Sequence, residues 1–301
     1  MPRDDKHPSA RLSSAHSREL GEELRRVRVG LGIKASTLCE EVGWSSAKLS
    51  KLEGGTRGAC EADVATLLGF YRADKAVRAR VLELVKQSDR GCFVRAHHDA
   101  SPDDVLCARM HEAVARTLTC YQPLLLPSLL RSKAYAEALL GHAGAGGEQR
   151  DSRLGHLAAR QEVLHRESAP EAVVFIHEAA LHLVVGGPAV MHDQCMRLCF
   201  MADRARLGLR VVPMSAGHPA LRCSATLLTF AEPLKPLAFS ETATATAFFD
   251  EDTAIAAVRR KFAALGAMAL GVEESRAVFR RWAVAYDTTD PRSGTVAAAQ
   301  R

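Results

Sequence analysis

Two short amphipathic patterns meet at a glycine in KASTLCEEVGWSSAKLSKLEGG, Lys34–Gly55. Ala35, Leu38 and Val42 mark the inner face of one helix, which stops at Gly43, a residue free to take positive φ. Ser45 is placed to cap a second helix that runs to Glu53 and ends at Gly54-Gly55. Trp44 precedes the cap and can staple onto Leu49. With Leu49 and Leu52 turned inward, Ser46, Ala47, Lys48, Ser50 and Lys51 are left facing out. Duplex DNA is read by this arrangement: a short polar, cationic helix in the major groove, with another crossing the backbone above it.

Apolar periodicity extends the helical reading on both sides. Leu20, Leu24, Val27 and Leu31 mark a helix that Ser17 can cap. A fourth helix over about 61–71 carries Val64, Leu67, Leu68 and Tyr71, and a fifth, capped by Asp74, carries Val77, Val81, Leu84 and Val85. The expected organisation is a disordered arm at 1–16, an all-α five-helix domain at 17–88 and a linker at 89–104, where Gly91 and Pro102 break the period.

Charge agrees in sign. Residues 1–90 hold 17 Lys/Arg against 13 Asp/Glu, and the rest hold 23 against 22. A basic front on a neutral body suits a polyanion-binding head. The opening MPRDDKHPSA has no apolar core of a signal peptide, no uncharged apolar run is long enough to span a bilayer, and eight dispersed cysteines form no CxxC pair. The expectation is a cytoplasmic, nucleoid-associated protein with reduced thiols.

These residues resemble the Xre/phage-repressor helix-turn-helix family over about 18–87. The first helix LGEELRRVRVGLG, the turn EVGWS and the ending KLSKLEGGTRG carry the likeness. Lys34, Ala35 and Ser46 stand where that family usually has Thr, Gln and Gln, so no target sequence carries over. Lys48 is the candidate base reader, able to donate to guanine O6 and N7. Ser46 and Ala47 are candidates for other base edges, and Ser45 caps the helix. Lys34, Ser50, Lys51 and Arg57 are candidates for phosphates, with Arg28 on the first helix as a further contact. One such head covers half a site, so a homodimer on double-stranded DNA is expected.

Beyond the linker, long helices are expected at about 104–120, 132–141 and 149–167, followed by strands at 172–177, 209–213, 224–230 and 236–240. A helix at about 188–206 suits a parallel crossover between the first two strands, and the last two are expected to pair antiparallel. Helices at about 251–269 and 274–286 close a domain over 105–287, leaving a disordered tail at 288–301. The fold class is α+β overall: the helical head, then a mixed domain with a small sheet flanked by helices.

No nucleophile elbow, phosphate loop or dinucleotide fingerprint is present. His177 and His182 are five residues apart, about 140° around a helix, and cannot share one ion. His192, Cys195 and Cys199 do share a face, with Cys223 available from a strand. Zinc is one reading of them and a buried apolar stripe the preferred one. No metal and no cofactor are expected. Glu178, Glu241 and the acid run at 250–252 are candidate acid/base groups, but without a nucleophile or metal the preferred reading is that they cap helices, bind backbone amides or face water. The alternative function is a metal-assisted hydrolase body with an autoregulatory head.

PSLLRSKAYAEALL, HEAALHLVVGGPAVMHDQCMRL, VVPMSAGHPAL, SATLLTF and SETATATAFFD resemble the C-terminal domain of WhiJ-type, antitoxin-like actinobacterial regulators. That resemblance implies a transcriptional regulator, often paired with a small partner protein encoded nearby; a small-molecule effector is the other open input, and no enzymatic activity is expected. Candidate partner or effector contacts are Glu241 and His218, the latter in a loop at 214–222 that can close over a groove and that titrates near neutral pH.

Overall fold

The computed structural model describes residues 14–56, 59–86, 91–97, 106–142 and 146–287. The expected tail at 288–301 lies outside them, as does the arm up to residue 13. Two compact units emerge. One comprises the chain to Phe93 together with Phe230–Leu237 and Phe249–Glu251; the other takes Val94–Thr229, Ala238–Phe248 and the chain from Asp252 onward.

The first unit holds five helices: α1 (Ala15–Gly30), α2 (Ala35–Val42), α3 (Ser46–Glu53), α4 (Glu61–Phe70) and α5 (Lys75–Lys86). Leu20, Leu24, Leu38, Leu49, Leu52, Val64, Leu67, Leu68, Tyr71, Val81 and Leu84 form its core. Gly43 ends α2 in the left-handed region, at φ 66° and ψ 33°, and the Trp44 N–H closes back on the Cys39 carbonyl at 2.9 Å. α1 lies directly against the end of α3, because a Cβ at Gly21 would stand 2.5 Å from the Leu52 and Glu53 carbonyl oxygens.

α1 begins earlier than its spacing predicts. Ser14, not Ser17, is the cap, its Oγ accepting from the Ser17 N–H at 3.1 Å. Residues 14–16, read as part of an arm, instead belong to the folded unit, and Ala15 and His16 are buried. Their partners come from far along the chain but from the same unit. The Ala15 N–H donates to Asp250 Oδ2 at 2.7 Å, placing a carboxylate at a helix N-terminus. His16 meets Phe93 edge to face at 6.1 Å, and the Arg18 guanidinium lies 4.6 Å over Phe230. No periodicity signals these contacts, since each pairs residues more than 70 positions apart.

The strands are β1 (Cys92–Ala96), β2 (Thr117–Gln122), β3 (Glu171–His177), β4 (Leu207–Val212), β5 (Ala225–Thr229), β6 (Leu237–Glu241) and β7 (Ala245–Phe249). They form a sheet in the order β1-β7-β6-β5-β2-β3-β4. β2, β3 and β4 run parallel and β5 runs antiparallel to β2, with Tyr121 opposite Ala225. α10 (Pro188–Met201) is the expected crossover between β3 and β4. The remaining helices are α6 (Leu106–Ala113), α7 (Lys133–His142), α8 (Gly147–Gln161), α9 (Ala179–His182), α11 (Asp252–Met268) and α12 (Val272–Asp287). Trp282, Tyr121, Tyr135, Tyr286 and Phe279 are fully buried large side chains of the second unit.

Two further expectations are corrected. The helix read over 104–120 stops at Ala113, and its second half is β2. TLTCYQ alternates half-buried threonines with buried Leu118 and Cys120, and the Thr117 hydroxyl meets that of Thr229 across the ladder at 2.6 Å. The stretch read as a linker contributes β1. No helix among the described residues is long and apolar enough to cross a membrane.

Candidate nucleic-acid interface

α3 is a two-turn helix set by its ends. Ser45 Oγ accepts from the Lys48 N–H at 3.2 Å, while the Gly54 N–H closes on the Ser50 carbonyl at 2.8 Å. Leu49 and Leu52 are buried, and Ser45, Ser46, Ala47, Ser50 and Lys51 are exposed. Lys34 is exposed at the start of α2. A short polar face with one terminal cation is therefore open to a ligand. Arg57 lies outside the described residues.

The two remaining cations are held inside the unit. Arg28 is a correction: its Nε and Nη2 donate to the two carboxylate oxygens of Glu53 at 2.7 and 2.9 Å, and its Nη1 to the Ile33 carbonyl at 2.7 Å. That guanidinium is a tie from α1 to α3 and the α1–α2 turn, buried and unavailable to a phosphate. Its hydrogen bond to Glu53 raises its pKa further, against the opposing effect of burial. Lys48 Nζ pairs with Asp63 Oδ1 on α4 at 2.7 Å and sits 3.8 Å over the Trp44 ring. A base-reading Lys48 would have to leave both. Asp63 and Glu53 are the residues that sequence reasoning missed, because their roles are set by helix packing, 15 and 25 positions from the cations they hold.

In the second unit the expected contacts have internal partners. His218 caps a 3-10 turn, Pro219–Leu221, its Nδ1 accepting from the Ala220 N–H at 3.0 Å. The loop around it is anchored: Tyr121 Oη donates to the Leu221 carbonyl at 3.1 Å and Lys261 Nζ to the Ala220 carbonyl. Glu241 Oε1 accepts from Arg160 Nη1 at 2.8 Å. Arg160 also grips Glu112, through Nε at 2.8 Å and Nη2 at 2.7 Å, and both those side chains are almost fully buried. Burial raises the pKa of Glu112 despite Arg160. Burial pushes Glu241 the same way, but the charge and hydrogen bond of Arg160, with Arg131 behind it, outweigh burial and hold Glu241 below its ordinary value.

Glu178 accepts from the Met214 N–H at 3.1 Å and from Arg281 at 2.9 Å. His192 Nδ1 lies 3.0 Å from the Ala283 carbonyl oxygen, and Cys195 and Cys199 are buried with Leu198 on α10. Burial pushes the Cys195 thiol up to about 12.

Residues 108–281 match the family defined by a domain of unknown function (DUF5753), and residues 19–81 match a helix-turn-helix domain. No curated protein matches the chain. Among solved structures, the archaeal chromatin protein TrmBL2, described as showing a novel mode of DNA binding, aligns over 82% of this chain and 93% of that chain. Its identity is 12% and its TM-score 0.30, a level at which no shared fold is implied.

Proposed function

We propose, from the premise that this chain belongs to the DUF5753 family and carries a helix-turn-helix domain ahead of that region, that it is a sequence-specific DNA-binding transcriptional regulator acting at the nucleoid. In this reading it is an Xre-type, antitoxin-like protein that binds as a homodimer. The observation that carries the proposal is the open face of α3, where Ser46, Ala47, Ser50 and Lys51 stand clear of the core on a helix whose start is fixed by Gly43 and Ser45. Polar hydroxyls and a methyl suit base edges, and Lys34 and Lys51 suit phosphates. The second unit binds a small partner protein encoded nearby, or a small-molecule effector, and shifts operator affinity by its preference for one arrangement of the paired heads, typically about 1–3 kcal/mol.

The test is fluorescence anisotropy of the full chain on duplexes enriched from random sequence by repeated selection, read at several salt concentrations. A dimer bringing Lys34, Lys51 and Arg57 twice to phosphates gives a log–log salt slope of about −5. Lys51→Ala should flatten it by about 1 per subunit while leaving sequence preference intact. Absence of salt-sensitive association, with no sequence enriched, defeats the proposal.

A further inference from the structure

The second unit carries a groove of about 420 Å³ along α10, within the size range of small-molecule sites. Its walls include Asp193, Met196, Arg197, Phe200, Met201 and Arg204. Phe200 is 69% exposed, on a helix whose opposite face buries Met191, Cys195 and Leu198. A large open aromatic ring beside the half-buried Met196 forms an apolar platform, with Met201 buried beneath, and the two guanidiniums border it.

Those arginines are oriented by neutral groups. Arg197 Nε donates to the Leu130 carbonyl at 3.2 Å and its Nη2 to Gln161 Oε1 at 3.4 Å. Gln161 is itself fixed, donating to the Ser128 and Arg131 carbonyls at 2.7 and 2.9 Å. Arg204 Nη1 donates to the Leu164 carbonyl at 3.3 Å, with the His165 ring beside its guanidinium. Neither arginine has a carboxylate partner among the described residues. The nearby Arg276 and Arg281 differ, pairing with Asp203 and Glu178. Burial, and then the charge of Arg204, push the Arg197 pKa down.

We propose that this groove binds a small organic carboxylate with an aromatic or branched apolar body, its carboxylate on Arg197 and Arg204 and its body on Phe200 and Met196. Preorganised guanidiniums recognise carboxylates by charge-assisted hydrogen bonds. Asp193, on the same wall, disfavours a second negative charge and selects a monoanion over a phosphate dianion. Binding itself stands apart from the DNA reading; only the ligand's role as an effector rests on it.

Calorimetric titration of the full chain, without DNA, uses 3-phenylpropionate, 3-phenylpropan-1-ol and inorganic phosphate at one ionic strength. The carboxylate should bind saturably, with the alcohol and phosphate at least about tenfold weaker. An R197Q/R204Q double variant should lose at least about tenfold, and Phe200→Ala several-fold. Arg197→Lys keeps the charge if the glutamine variant does not fold, and should still weaken binding because the planar fork is gone. Equal binding of the alcohol, equal binding of phosphate, or no saturable heat overturns the proposal. So does sedimentation showing that Phe200→Ala splits a dimer while the probe binds neither form, for the groove is then a contact between copies.

Discussion

Arg28 in the first unit and Arg160 in the second are both buried against carboxylate, and the two differ in what each guanidinium holds. Arg28 joins α1, α3 and the α1–α2 turn through Glu53 and the Ile33 carbonyl. Arg160, at the end of α8, gathers Glu112 from α6 and Glu241 from the end of β6. The first is a one-to-one tie in a small helical core. The second is a cation shared by two acids brought together from 48 and 81 residues away. Removing one partner from a buried pair costs more than the pair contributes, because the group left behind has lost its water as well. The comparison therefore predicts that damage scales with the number of carboxylates stranded.

The largest effect belongs to Arg160→Met. It strands two acids, one of them almost fully buried, and should destabilise the second unit by about 3–5 kcal/mol. Arg28→Met strands only Glu53 and should cost the first unit about 3 kcal/mol, the lower end of the same range. The chain's two tryptophans, Trp44 and Trp282, fall one in each unit, so fluorescence of Trp44→Phe and Trp282→Phe backgrounds in urea separates the two transitions. Equal losses, or a larger one at Arg28, would break the comparison.

Within the trio the two acids should respond to pH with opposite sign. Glu241 has a folded pKa below its unfolded value, so its contribution is present above the ordinary carboxylate range and is lost as pH falls through the depressed value. Glu241→Gln should therefore cost about 1.5–3 kcal/mol at pH 7 and progressively less toward pH 4. Glu112 has a raised folded pKa, so its contribution is complete below the ordinary range and is lost as pH rises through the raised value. The urea midpoint of Glu112→Gln relative to the parent should thus rise, not fall, between pH 4 and pH 7.

Close approach of backbones gives the next effect. Gly21→Ala places a methyl 2.5 Å from two carbonyl oxygens at the end of α3 and should cost about 1–3 kcal/mol, read through Trp44. Gly30→Ala, on the same helix with nothing within 4 Å, should cost nothing comparable.

The two units also differ in how far their sequences disclose them. In the head, α2, α3, Gly43 and the Ser45 cap can be read directly, because each rests on residues within one or two helical turns of each other. The sheet unit yields its crossover and β3 to β6 from branched apolar runs, but β2 was hidden. Val114 and Ala115 continue a helical period into TLTCYQ, and only pairing with β3 and β5 decides in favour of a strand. β7, in ATAFF, is short and flanked by polar residues, and it owes its existence to its neighbours in the sheet. At the candidate DNA face, the outward side of α3 follows from spacing alone. Which cations are free to use it does not, because Glu53 and Asp63 reach Arg28 and Lys48 only through packing.

Lys48 gives the smallest effect and the sharpest test of that distinction. Its ion pair with Asp63 is partly open to solvent, with the lysine side chain 27% exposed and the aspartate 17%. Such a pair contributes about 0.2–1 kcal/mol, so a double-mutant cycle of Lys48→Ala and Asp63→Asn should return a coupling in that range. Arg28 is locked by three hydrogen bonds, whereas Lys48 is held weakly enough for a phosphate or a guanine edge to compete for it. Asp63→Asn removes a negative charge beside the open face of α3 and releases the ammonium, so it should tighten DNA binding a few-fold while Lys48→Ala weakens it. If both substitutions weaken binding equally, the ion pair itself is the element that shapes the face, and Lys48 then belongs with Arg28 among the cations of the head that serve the fold.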